Sequence, residues 1–459
     1  MKLALHNYQK TGCRFVEKHK RCALHMDIGT GKTATTIAAC KELLDNFDIR
    51  GVMVFAPLKV ATVAWPDELR KWDEFRKLRH IVVRGSEAER IQQLRLRSDF
   101  YILNYDWLPW WVEWVRSEIQ AKRQLPFDML VLDESSKLKS PASKRFKELK
   151  PLADSNRFRR IVELTGTPSP ERLQDLWSQY RLLDGGQRLM KFVTHFRDRY
   201  LEINPYNHYD IKPKDWAQEE IEKLIADITY TIRAEDYLEL PRMLEHTIPI
   251  IMPKSAMKIY DEFEKDMVIK IDSGYVVGGN AGVATEKCRQ IASGAVYDSN
   301  GDTRIVHSEK MDTLKEFIED IDEPVMVAYW YKHEHATIKN EFPGVPILGP
   351  DTYDKEAARI IEDWNKGKIP LLFIHPGSVG HGINLQHGGR ILVWLTIPWH
   401  NDYYRQTNGR LYRMGQTKPV LIYRMIVQDT VETLVDDVLA DKEFNQQSLR
   451  KALAKYTIA

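Results

Sequence analysis

Residues 26–37 read Met26-Asp27-Ile28-Gly29-Thr30-Gly31-Lys32-Thr33-Ala34-Thr35-Thr36-Ile37. Two glycines flanking a threonine let backbone N–H groups approach an anion closely, and Ala34 to Ile37 can begin a helix whose N-terminus favours negative charge. Lys32 is placed to reach the β- and γ-phosphates of a nucleotide, and the Thr33 hydroxyl to ligate magnesium. Gly29, Thr30, Gly31, Lys32 and Thr33 are therefore the expected phosphate cradle. Met26 stands where the full GxxxxGK[ST] pattern has its first glycine. The Gly31-Lys32-Thr33 core makes a plain glycine turn before a helix the poorer reading.

Around this stretch, short apolar runs alternate with charged segments of helical spacing. Val52–Ala56, Tyr101–Leu103, Met129–Leu132, Ile161–Leu164, Val325–Tyr329, Leu371–Ile374 and Ile391–Leu395 are such runs. The pattern is that of buried parallel strands joined through helices, so the fold class is α/β. With 459 residues the chain can bury at least two cores. The rhythm weakens over 185–300, which includes a glycine cluster at Gly274–Gly282, and resumes after His307. The expected domains are 1–184, a mostly helical stretch of insertions and linker at 185–300, and 301–459.

Composition excludes several classes. Hydrophobic residues at 43% and charged residues at 29% fit a folded globular protein, neither disordered nor fibrous. No run approaches the roughly 18 apolar residues that cross a bilayer, so no membrane role is expected. The four cysteines, Cys13, Cys22, Cys40 and Cys288, form no CxxC pair, which argues against a zinc site or a disulfide framework. A cytoplasmic, reduced setting is expected. The 67 basic and 65 acidic side chains nearly cancel, so any nucleic-acid surface must be local. Lys137 to Arg160 holds nine Lys or Arg against Glu148 and Asp154; taken alone, a solvated helical face explains it.

Three further motifs bear chemistry. Asp133-Glu134 follows the strand Met129–Leu132, at the end of a parallel strand where open α/β sheets bind ligands. Asp133 would hold Mg2+ and Glu134 would position or deprotonate an attacking water. Capping of a helix by Asp133 or Ser135 is the alternative. Thr165-Gly166-Thr167-Pro168 also follows an apolar strand; Thr165 and Thr167 could bond the acidic pair and sense a γ-phosphate, or form an ordinary turn. In Gln406-Thr407-Asn408-Gly409-Arg410-Leu411-Tyr412-Arg413-Met414-Gly415-Gln416, the arginines are three apart and on a helix would share a face. Such guanidinium groups can stabilise charge on a transferring phosphoryl group.

In this order the motifs resemble those of superfamily-two helicases, and the Swi/Snf-type branch fits best. Tyr8-Gln9 resembles its adenine-side glutamine element. Ala56-Pro57-Leu58, with Trp65 and Glu68, resembles its next motif. Leu238-Glu239-Leu240-Pro241 resembles the passage to the second lobe, and Glu309-Lys310 to Leu314 the start of that lobe's first helix. Pro376 to Leu385 is similar to its GxGxNL element, and Trp399 stands where the branch has a tryptophan. The chain departs from the branch in three places. Ser135-Ser136 replace the usual glycine or alanine and histidine after Asp133-Glu134, Met26-Asp27 replace an acidic pair, and an asparagine is missing after Pro168.

The resemblance implies two RecA-like domains with parallel sheets, an ATP site between them, and a DNA-stimulated ATPase that translocates on duplex or branched DNA. It implies ATP and Mg2+ as ligands. Lys32, Asp133, Glu134, Arg410 and Arg413 would be catalytic. Gln9, Gly382 and Gln406 would join the cradle in nucleotide binding, and Thr33 and Asp133 would hold the metal. Lys59, Lys137, Lys139 and Ser378 are the expected DNA contacts, and Thr165 and Thr167 the coupling residues. A stripped-down motor of prokaryotic or viral origin, targeted by a partner protein, is expected. A strand-separating DNA or RNA helicase and an ATP-gated clamp are the alternatives.

Overall fold

A computed structural model describes residues 2–27, 29–155, 157–166, 173–203, 211–233, 241–272, 278–298, 302–378, 383–398 and 401–434. The chain divides into two compact units, Met1–Glu239 and Leu240–Ala459. Each is built on its own parallel sheet.

In the first unit the strands are β1 (Arg21–Met26), β2 (Val52–Ala56), β3 (His80–Val82), β4 (Phe100–Asn104), β5 (Met129–Asp133), β6 (Arg160–Thr165) and β9 (Thr229–Ile232). They lie in the order β3-β4-β2-β5-β6-β1-β9. Every pairing in this sheet is parallel. The central strands are apolar throughout because both faces are covered. In β2, Met53 and Phe55 join a core with Trp111 and Leu149, while Val52 and Val54 join a second core with Ile37 and Trp65. Helices α1 (Asn7–Lys18), α2 (Lys32–Asp45) and α3 (Trp65–Lys71) cover one face. Helices α4 (Glu87–Arg95), α5 (Leu108–Gln120), α6 (Lys144–Asp154) and α7 (Gln174–Asp184) carry residues of the other core or pack on it. Beyond α7 come α8 (Val193–Tyr200), a small antiparallel hairpin of β7 (Leu201–Ile203) and β8 (Ile211–Pro213), and α9 (Ala217–Ile225).

The second unit has the strand order β10-β17-β16-β13-β15-β14, again parallel throughout. These strands are β10 (Met243–Ile250), β13 (Val325–Ala328), β14 (Ile347–Leu348), β15 (Leu371–Ile374), β16 (Ile391–Trp394) and β17 (Val420–Val427). A separate pair is β11 (Ala295–Tyr297) with β12 (Thr303–Ile305). Helices α10 (Lys254–Asp272), α11 (Gly278–Ala292), α12 (Glu309–Glu319), α13 (Lys332–Glu341), α14 (Asp354–Asn365) and α15 (Asn401–Asn408) complete it. Alternate residues of β13 again enter different cores, Val325 and Val327 on one face, Met326 and Ala328 on the other.

The seven apolar runs read from the sequence all form strands, with Tyr329 and Leu395 each one residue beyond the strand's end. The stretch 185–300, expected to be mostly helical, is shared between the units and supplies strands as well: β9 edges the first sheet and β10 edges the second. Most residues of β10 are exposed, so it carries Glu245, His246 and Thr247 in place of a continuous apolar run. The basic stretch 137–160 is not a uniform solvated face. Arg160 is buried and donates to Val16 O at 2.9 Å, and Arg159 pairs with Asp128 at 3.4 Å.

All four cysteines are buried and unlinked, Cys13, Cys22 and Cys40 in the first unit and Cys288 in the second. Burial pushes the thiols of Cys13, Cys22 and Cys288 up to about 12. Among the described residues, no helix is long and apolar enough to cross a membrane, and no group of His, Cys, Asp and Glu has the arrangement of a metal site.

Candidate functional site

The cradle sits between β1 and α2, at the carboxyl end of the first sheet. Gly31, at φ 81°, occupies the left-handed region and caps α2, which begins at Lys32. Thr30 is fully buried; its N–H and hydroxyl both donate to Asp27 O, at 3.2 and 2.6 Å. From α1, Gln9 Nε2 and the Tyr8 hydroxyl donate to Thr30 O at 3.0 and 3.2 Å, and the Gln9 side chain accepts from the His6 N–H at 2.9 Å. A Cβ on residue 31 would lie 2.3 Å from Gln9 Nε2, so the loop is shaped to the glutamine as well as to an anion. Gly29 and Thr33 are half-buried at the loop's rim.

Two strands away, β5 ends in Asp133 and delivers Glu134. Lys32 Nζ lies 3.6 Å from Glu134 Oε1, which brings the cradle lysine and the acidic pair together. Asp133 Oδ2 accepts the Trp65 indole N–H at 2.8 Å. Glu134 has φ 55° and ψ 57°, a left-handed conformation that costs a non-glycine residue about 1–3 kcal/mol and that the surrounding fold must enforce. Burial first, and then the Glu134 charge, hold the Asp133 carboxyl above its ordinary range, while Lys32 acts in the opposite sense. Two buried carboxylates facing one ammonium form an acidic pocket suited to a further cation. The chemistry of this acidic pair therefore fits a divalent metal.

Behind the pair lies a polar network that the sequence did not announce. Ser135 Oγ donates to Gln179 Oε1 at 2.7 Å, and Ser135 also bonds Glu163 on β6. Burial raises the Glu163 carboxyl well above its ordinary value, with Ser135 opposing the rise, and Glu163 Oε1 has no hydrogen-bond partner among the described residues. A glutamate inside the apolar run Ile161–Leu164 was the available signal. Gln179 Nε2 donates to Asp175 O at 3.2 Å, and the Asp175 carboxylate lies 3.8 Å from Lys139 Nζ. On β1, His25 bonds the Tyr180 hydroxyl at 3.3 Å and is pushed down to about 3, by burial and then by Lys32.

The remaining first-unit candidates have varied settings. Thr165 ends β6, fully buried and in register with His25. Lys137 is exposed on the turn after Glu134, Lys139 is engaged by Asp175, and Lys59 is half-buried before α3. Thr167, Ile28 and the Ser169–Arg172 departure lie outside the described residues.

In the second unit, the arginines do not stand on one helical face. Helix α15 ends at Asn408, and Gly409 to Gln416 run on through turns. They converge by another route: Arg410 Nη1 and Arg413 Nη1 both donate to Ile383 O, at 3.2 and 3.3 Å. Gln416 Nε2 donates to Gln386 O and Gly389 O, and Gln386 Nε2 to Met414 O, so the turn is stapled to residues 383–389. Asn408 Oδ1 accepts the Trp394 indole N–H at 2.9 Å. Arg410 is buried, and Gln406 is half-buried on α15. Ser378 follows β15 and bonds His375 Nδ1 at 3.3 Å. Gly382, Val379–His381 and Trp399 lie outside the described residues. At the ends of β13 and β16, buried Glu334 accepts from Trp330 N, Tyr331 N and Thr396 Oγ1, a clasp without a sequence signal.

A family model described as the SNF2-related domain matches residues 8–292, more than half of the chain. Putative protein p41 of Acyrthosiphon pisum secondary endosymbiont phage 1 is 32% identical, over 95% of both chains. An uncharacterized ATP-dependent helicase of Mycoplasma genitalium is 24% identical over 98% of this chain, and the human DNA annealing helicase and endonuclease ZRANB3 is 23% identical over 95% of it. The chain spans nearly all of p41 but only 42% and 39% of the latter two. The Sulfolobus solfataricus SWI2/SNF2 ATPase core in complex with dsDNA is similar over 96% of this chain and 92% of its own, with 23% identity and a TM-score of 0.45. From the family match and the ordered motifs together, the chain belongs to the SNF2-related family, as a Swi/Snf-type, superfamily-two, helicase-like ATPase.

Proposed function

We propose that the protein is a DNA-stimulated ATPase that uses hydrolysis to translocate on duplex or branched DNA. The observation that carries the reading is the Lys32–Glu134 pair, cradle lysine against acidic pair, with Trp65 holding Asp133 beside it. Gln9, Gly29, Thr30, Gly31, Lys32 and Thr33 bind the nucleotide, with Gly382 and Gln406 contributing from the second unit. Glu134 orients the attacking water and receives its proton. Thr33 and Asp133 are the residues that would hold Mg2+, which when bound neutralises charge on the β- and γ-phosphates. Arg410 and Arg413 stabilise the charge that develops on the transferred phosphoryl group.

Contacts to DNA run mainly to phosphate, through Lys59, Lys137, Lys139 and Ser378, and are salt-sensitive and indifferent to sequence. Thr165 and Thr167 couple the acidic pair to that engagement. The departures at Ser135-Ser136 and after Pro168 leave Lys32, Asp133, Glu134, Arg410 and Arg413 in place, which favours a motor over a passive clamp. A viral setting accords with the phage protein it resembles, and a partner protein supplies targeting.

ATPase rates with single-stranded, duplex and forked DNA and with RNA form the test. Duplex or forked DNA should raise the rate, Lys32→Ala should abolish it, and Arg410→Ala should lower kcat while ATP binding persists. A rate indifferent to every nucleic acid refutes the proposal. Displacement of a triplex third strand without duplex opening separates the translocase from a strand-separating helicase.

A further inference from the structure

Ser135 stands where the family resemblance leads one to expect a small apolar residue, and its hydroxyl is fully buried. It donates to Gln179 Oε1 at 2.7 Å, and Gln179 is itself 1% exposed. Gln179 lies one and a half turns into α7, and its amide donates to Asp175 O, one turn nearer that helix's start. The Asp175 carboxylate faces Lys139, at 3.8 Å, with the lysine about one-third exposed. A continuous polar chain thus runs from the partly exposed Lys139, through the first turn of α7, to the residue covalently joined to Glu134.

We infer that Gln179 is a positioning residue that transmits DNA engagement to the acidic pair, through Ser135 on one side and Asp175–Lys139 on the other. This rests on the proposed DNA contact of Lys139. A phosphate approaching Lys139 competes with Asp175 for its charge. The first turn of α7, released from that pair, carries Gln179 with it and re-aims the Ser135 turn. Buried polar chains of this kind are rigid, so a small displacement at one end is felt at the other. Glu134, held in its left-handed conformation by this same turn, is the group whose aim changes.

The full chain with Gln179→Leu, Asp175→Asn and the wild type should be compared for DNA-free ATPase, DNA-stimulated ATPase, KM for ATP and DNA affinity. Gln179→Leu should lower the stimulation ratio roughly tenfold, within the usual range of intersite coupling, with KM for ATP within about twofold of wild type. Asp175→Asn mimics the released state and should raise the DNA-free rate several-fold while compressing the ratio. This gain is one that structural damage does not produce. Ser135→Ala combined with Gln179→Leu should lower the ratio no further than Gln179→Leu alone, and with Gln179 intact Ser135→Thr, which keeps the hydroxyl, should retain the ratio that Ser135→Ala loses. Full stimulation in Gln179→Leu overturns the inference, as does an equal loss of free and stimulated rates or additive effects in the double variant. If Gln179→Leu does not fold, an unchanged ratio in Asp175→Asn overturns it. A wild type that binds DNA without stimulation removes the translocase reading too, whereas normal wild-type stimulation with silent variants removes this inference alone.

Discussion

The indole of Trp65 shows how one hydrogen bond can organise a carboxylate of the proposed site. Its N–H fixes Asp133 Oδ2 at 2.8 Å in a buried setting. Trp65→Phe keeps most of the packing and removes the donor. A hydrogen bond to a charged group contributes about 1.5–3 kcal/mol, so kcat/KM should fall by roughly 10- to 100-fold. Steady-state ATPase titrated with Mg2+ checks this, and an unaltered Mg2+ dependence would show Asp133 to be positioned by other contacts. The sequence revealed Trp65 as a motif residue but not its partner, because a bond between positions 65 and 133 leaves no local periodicity. Lys32, Asp133 and Glu134 were legible for the opposite reason: each directly adjoins a glycine loop or an apolar strand.

At the scale of elements, burial on both faces made β2, β4, β5, β6, β13, β15 and β16 readable as apolar runs. Edge position hid β9 and β10, and His25 interrupted β1. The arginine motif was legible as a string but not as a shape, since a spacing of three suits a helix and gives no sign that α15 stops at Asn408. Another link between elements was half legible. Lys310 opens α12, as the motif suggested, and its ammonium is buried against Glu432 at 2.7 Å and Leu395 O at 2.7 Å. Glu432 also accepts the Val427 N–H, so this pair ties α12 to the chain leaving β17. Lys310→Met strands a buried carboxylate and should destabilise the second unit by about 3–5 kcal/mol. Urea denaturation followed by fluorescence measures that loss, and adding Glu432→Leu should recover part of it.

Over the whole molecule, each unit has its own sheet with two cores, and the proposed catalytic groups are divided between the units. Residues 1–239 expressed alone should therefore fold, melt cooperatively and bind ATP, yet release no phosphate with or without DNA. Circular dichroism, binding of a fluorescent ATP analogue and a phosphate-release assay make that comparison. Turnover approaching that of the full chain would remove Arg410 and Arg413 from the mechanism. The two-unit organisation was readable from the alternation of strands and helices, whereas the boundary near residue 240 was not, because the strands flanking it are edge strands with mixed polarity. The buried thiols have a consequence at this same scale. With no cross-link to break and almost no thiolate near neutrality, a thiol-labelling reagent meets a silent surface while the chain is folded. The molecule carries its own unfolding reporter, in which the uptake of three labels marks the opening of the first unit and a single label that of the second.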